Sequence, residues 1–143
     1  MTDRAQDPAL VAQQPLGTQP FLEPSAIEWM LISFAADSQL FAEARTLIAP
    51  HHFRAQEAPL RLVYESMCVS QDRYSGITFE SVRDIADQML RQNQSLVLTE
   101  VQRQIIFRPD NQGLIYQICT PQGIEFNTTN QNLARDLLQR FAH

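Results

Sequence analysis

Two adjacent histidines, His51 and His52, are the residues of this chain whose type most invites a chemical role. Their spacing argues against one. Neighbouring residues point about 100° apart on a helix and to opposite faces of a strand, so neither geometry lets both grip one ion. The third histidine, His143, lies far away in sequence. Cys68 and Cys119 stand alone, without the C-x-x-C spacing that signals zinc or redox chemistry. Each lies in an apolar context that reads as a buried free thiol. Glu80, Asp84 and Asp87 have the spacing of an exposed helix face rather than of an acid/base pair. Nucleophilic catalysis needs a nucleophile, a base and an orienter. Cys68 or a serine beside His51 has no sharp elbow or glycine-rich oxyanion loop to complete the set. The sequence therefore predicts no catalytic residue, metal site or cofactor, and the histidines read as solvated loop residues.

Composition narrows the classes further. All eleven basic residues are arginine, and the four glycines (Gly17, Gly76, Gly113, Gly123) form no cluster. Walker A loops, Schiff-base lysines and kinase-type lysines are thereby excluded. A net charge of −5, with arginines spread evenly along the chain, argues against strong direct nucleic-acid binding. An apolar fraction of 44% is enough for a real core. No stretch has the length of a membrane span, and the N-terminus lacks the basic-then-apolar order of a signal peptide. The expectation is a cytoplasmic protein without a membrane segment.

The elements that would position any site are helical. Residues 1–23 hold three prolines, one glycine and four glutamines and read as a flexible leader, with Phe21-Leu22 as a docking point onto a helical domain over 24–143. Ser25 and Glu28 have the spacing of a capping box. Behind them Ile27, Met30, Leu31 and Phe34 share one helical face and Trp29 and Ile32 the other, the pattern of a central helix. Ser38 is expected to cap a second helix with Leu40, Phe41, Ala44, Leu47 and Ile48 as its stripe, ended by Pro50. A third helix is predicted from Ala58 to Ser70, with Pro59 in its first turn and Leu60, Val63, Tyr64 and Met67 as its face. "DRYSG" then reads as a loop, and Thr78 caps a helix with Phe79, Val82, Ile85, Ala86, Met89 and Leu90 at helical spacing. Thr99 and Gln102 repeat the capping-box spacing ahead of Val101, Ile105 and Ile106. The stretch over 105–126 fits either a hairpin turning at Pro109-Asp110-Asn111 or a short helix from Asp110 to Cys119, with the helix favoured by its surroundings. The chain closes on an amphipathic helix whose stripe is Leu133, Ala134, Leu137, Leu138 and Phe141. The fold class expected is all-α, a compact multi-helix bundle behind a flexible leader.

This order of elements resembles the N-terminal domain of the DnaB family of replicative helicases, which shares its helical fold with the helicase-binding C-terminal domain of the DnaG primases. The resemblance runs from Glu28 to Leu90. It is carried by Glu28, Leu31-Ile32 and Ser33, by Asp37 at the first turn, and by the apolar–x–Pro–x–x–Phe step at Ile48, Pro50 and Phe53. It continues through Leu60, Arg61, Leu62, Val63, Tyr64 and Met67, then Gly76, Ile77, Thr78 and Val82, with a weaker echo at Gly113 and Tyr116. Leu60 stands where the family has histidine, Thr78 where it has aspartate, and the interval from Phe53 to Tyr64 is longer. The resemblance implies a non-enzymatic interaction domain of the replication machinery, a homo-oligomer that docks replicative helicase with primase or a loader. It makes Leu31, Phe34, Phe53 and Tyr64 structural. It places self-association on the last helix, at Leu133, Leu137, Leu138 and Phe141. The alternatives are the helicase-binding domain of a DnaG-type primase and a small phage or plasmid adaptor.

Because residues 1–23 lack a periodic apolar face, limited proteolysis is expected to trim them while leaving the helical signal and thermal midpoint of the remainder unchanged. Protection of that segment would move the domain boundary.

Overall fold

The computed structural model describes residues 24–92, 98–108, 113–120 and 128–142. Phe21-Leu22 and the possible turn at Pro109-Asp110-Asn111 lie outside them. Seven α-helices and no strand occur among the described residues, so the fold is an all-α bundle.

Helix α1, Pro24–Ala36, is its centre. Ile27, Met30, Leu31 and Phe34 are fully buried, and Trp29 and Ile32 pack half-buried against the same core from the other flank. The helix starts at Pro24, so Ser25 sits inside its first turn rather than capping it. Asp37 closes α1 and opens α2, Ser38–Leu47. Its own N–H still bonds Ser33 O at 2.9 Å, while its carboxylate accepts from the N–H groups of Gln39 and Leu40 at 3.0 and 3.3 Å. Asp37, not the expected Ser38, is therefore the cap, because it is the residue with extended backbone at that break.

Two 3₁₀ turns, Pro50–His52 and Ala55–Glu57, form the corner into α3, Ala58–Tyr74. Phe53 plugs the corner from between them. Pro59 lies in the first turn of α3, as expected, but the helix continues a full turn past Ser70 and absorbs much of "DRYSG". It stops only at Ser75, which takes left-handed backbone (φ 56°) where glycine is usual, at a cost of ~1–2 kcal/mol. Residues 75–78 then reverse the chain into α4, Phe79–Gln92, which packs along α3. The reversal is held from inside. Fully buried Ser70 donates to Gly76 O at 2.7 Å and shares a 2.6 Å hydrogen bond with Ser81, whose N–H is capped by Thr78.

Helix α5, Glu100–Phe107, opens on the expected capping box, with both Thr99–Gln102 bonds made, at 2.9 and 3.1 Å. Helix α6, Leu114–Cys119, shows the helical rather than the hairpin alternative in the described part of 105–126. Gly113 precedes it for a packing reason. A Cβ there would lie 2.6 Å from the Ile106 carbonyl oxygen and 3.0 Å from the Arg108 nitrogen, both backbone atoms. Phe79 of α4 meets Tyr116 of α6 edge-on at 5.2 Å, tying these helices together.

The last helix, α7, Thr128–Phe141, corrects the sequence reading most. Its stripe was expected to be a docking face. Instead Leu137, Leu138 and Phe141 are buried with Ala134 against α1 and α2, and only Leu133 remains about half exposed. Phe141 meets Phe53 edge-on with centroids 4.8 Å apart, so the corner and the last helix complete each other. Outside, Arg135 pairs with Glu43 of α2 at 3.2 Å.

Leu31, Phe34, Phe53 and Tyr64 are all buried. Phe53 is 8% exposed and touches rings from two helices. Phe53→Ala is therefore expected to cost about 3–5 kcal/mol, as large-to-small changes in a packed core do. Denaturant unfolding checks this, and an unmoved midpoint would contradict the corner's role.

Candidate functional site

Each candidate for chemistry has a definite place. His51 is exposed on the first 3₁₀ turn, and its ring lies 4.2 Å from that of His52. His52 is not the bystander expected. It is half-buried, its Nδ1 accepts the Ala49 N–H at 2.8 Å, and its ring faces Phe141. Among the described residues no group of three or more His, Cys, Asp or Glu side chains is placed to hold a metal ion.

Cys68 has the most reactive-looking surroundings. It lies one turn after Tyr64, whose side chain hydrogen-bonds it, and the guanidinium of Arg45 is near enough to act on both. A nearby cation lowers a thiol pKa and activates it. Here burial outweighs Arg45 and the Tyr64 hydrogen bond, and the Cys68 thiol is pushed up rather than down. Arg45 is otherwise engaged: it makes a bidentate pair with Asp72 at 2.8 and 2.9 Å, which holds the Asp72 carboxyl below its ordinary value. Cys119 is buried in α6, and its pKa is raised by burial to about 12. Neither thiol is poised as a nucleophile.

Glu57 is the one buried carboxylate among the described residues, at 2% exposed. Its Oε1 accepts the Arg54 N–H at 2.9 Å, and its Oε2 accepts from the Arg54 Nε and Nη2 at 2.8 and 2.6 Å. A buried charge matched by its neighbour in this way shapes a turn.

What remains is surface. Five large apolar side chains are exposed among the described residues: Leu47, Tyr74, Val101, Ile105 and Leu133. Leu47, Tyr74 and Leu133 each stand on a different helix. Val101 and Ile105 are one turn apart on α5, 66% and 48% exposed, and so form one outward ridge. In the sequence they stand in one apolar set with Ile106. The period separates them, because Ile106 is rotated about 100° from Ile105 and falls on the inner face, where it is 1% exposed. An open groove of about 820 Å³ runs beside the ridge. Val101, Ile105 and Phe107 supply its apolar lining, with Glu100 and Asp87 as acids and Arg103 and Arg108 as bases. No protein-family model, curated protein or solved structure matches the chain. No described helix is long and apolar enough to cross a membrane.

The raised thiols give a pH-dependent expectation. At neutral pH a folded Cys68 or Cys119 holds less thiolate than an unfolded cysteine, so both are expected to react with a disulfide reagent more slowly than in denaturant. The deficit closes as pH is raised toward the elevated values. Cys68 reacting at the unfolded rate would mean that Arg45, not burial, governs it.

Proposed function

We propose that this chain is a non-enzymatic protein–protein interaction domain of a bacterial-type DNA replication machinery, one that associates with itself and docks a replicative helicase with primase or a loader. The observation that supports it most is the α5 ridge of Val101 and Ile105, an apolar surface uncovered on a helix whose other face is anchored in the core. The replication assignment rests on the resemblance over Glu28 to Leu90. Self-association moves to α5, because the stripe on the last helix serves the chain's own core.

The charge order of α5 fits a second copy. Glu100 stands at its start and Arg108 just past its end, roughly 12 Å apart along the axis, with the apolar pair between them. A two-fold partner laid antiparallel sets Glu100 of each copy toward Arg108 of the other and brings the ridges together, an isologous contact. A domain of this kind acts by holding its partner enzymes close, which raises effective concentration without chemistry of its own.

The test combines Val101→Asp and Ile105→Asp. Both sites are exposed, so the double variant is expected to keep its helicity and to lose only about 0.5 kcal/mol of stability per site. In sedimentation the wild type should associate and the variant should run as a monomer. Wild type that is monomeric at high concentration sinks self-association. Capture of neither purified helicase nor purified primase by the wild type removes the replication assignment.

A further inference from the structure

We propose that His52 is a pH-sensitive latch that ties the corner between α2 and α3 to the C-terminal end of α7. Its Nδ1 accepts the Ala49 N–H at 2.8 Å and so closes the first 3₁₀ turn. The same ring lies 6.1 Å from Phe141, centroid to centroid, and so packs on the last turn of α7. Nδ1 can accept that N–H only while it carries no proton, which in the neutral ring leaves the proton on Nε2. Protonation at Nδ1 turns an acceptor into a donor facing the Ala49 amide. The contact then opens, and the ring leaves the helix end it holds.

The surroundings favour the neutral ring. Burial first, and then His51, hold His52 below the ordinary histidine value of 6.5, and the Ala49 N–H donated to Nδ1 favours the same unprotonated ring. The other charged groups around the corner are engaged or outward: Arg54 is bound to Glu57, Arg45 on the last turn of α2 is bound to Asp72, and Arg140 on the last turn of α7 is exposed. A folded value below the unfolded one means that the folded state takes up fewer protons. The latch therefore contributes fully above the ordinary histidine value, and its contribution is lost as pH falls through the folded value. Opening frees the turn that carries Leu138 and Phe141, so acid bares the apolar stripe that is core at neutral pH.

The test follows the His52 imidazole resonances and the hydrogen-exchange protection of residues 138–142 in the full chain, from about pH 8 to about pH 5. His52 is expected to titrate below the ordinary value, and protection at the end of α7 to be lost along the same curve while α4 keeps its own. H52N places an amide acceptor near the former Nδ1 and cannot titrate, so its protection at 138–142 is expected to be flat with pH. A His52 titration at the ordinary value, pH-independent protection in the wild type, or the same loss in H52N would each overturn the latch. If H52N fails to fold, the two wild-type midpoints decide: coincidence supports the latch and separation removes it.

Discussion

Tyr64 is the ring on which the bundle turns. It lies 6.3 Å from Phe34, 6.1 Å from Phe41 and 5.7 Å from Phe53, and Phe53 in turn lies 4.8 Å from Phe141. One continuous aromatic cluster thus joins α1, α2, the corner, α3 and α7. Aromatic pairs contribute about 0.5–1.5 kcal/mol beyond their buried area, and edge-on contacts such as Phe41–Tyr64 are among their preferred geometries. Tyrosine suits the centre because its hydroxyl finds a partner in Cys68, one turn along the same helix, and burial pushes that hydroxyl's pKa up. The first and last described helices are joined through this cluster although they are far apart in sequence.

Around the cluster, buried polarity is concentrated at the connections. Helix backbones satisfy their own amides except at their ends, so a corner must supply partners from elsewhere. Asp37 serves two helices at once, Glu57 caps Arg54, Ser70 and Ser81 close the α3–α4 reversal, and His52 caps its own turn. A small set of polar side chains therefore serves every change of direction from α1 to α4. The faces between are apolar apart from Ser33 and Ser66, and the ion pairs that join one helix to another, Arg45–Asp72 and Arg135–Glu43, lie outside.

Much of this was legible from residue spacing. The Thr99–Gln102 box, the Thr78 cap, the all-round apolar pattern of α1 and the buried Tyr64 follow from local rules that the structure obeys, whereas the burial of Phe53 was implied by the resemblance alone. What was not legible has one physical cause. Periodicity says that a helix has an apolar face but not what covers it, so Leu137, Leu138 and Phe141 read equally well as interface or as core. The same limit hid the role of His52, which depends on a helix end distant in sequence. It also hid the outward turn of Val101 and Ile105, since spacing names the apolar residues of a short helix without saying which of them the core reaches. The Ser25 and Ser38 caps failed more locally: a neighbour one residue earlier already occupied the helix start.

The outer ridge of α5 follows from the size of the helix as much as from its sequence. Eight residues are too few to be stable alone in water, where isolated helices are marginal below about 12–15 residues. Helix α5 is held by its capping box and by Ile106 and Phe107, which reach the core from one side. One turn of apolar side chains is then left over, with no other described helix to cover it. A partner seated there would bury Val101 and Ile105 and stabilise the helix that presents them, because whatever binds the folded form alone shifts the folding equilibrium toward it. Order in α5 and occupancy of its outer face are in this way one equilibrium, and the surface least supported by the chain's own core is the one that gains most from a second molecule.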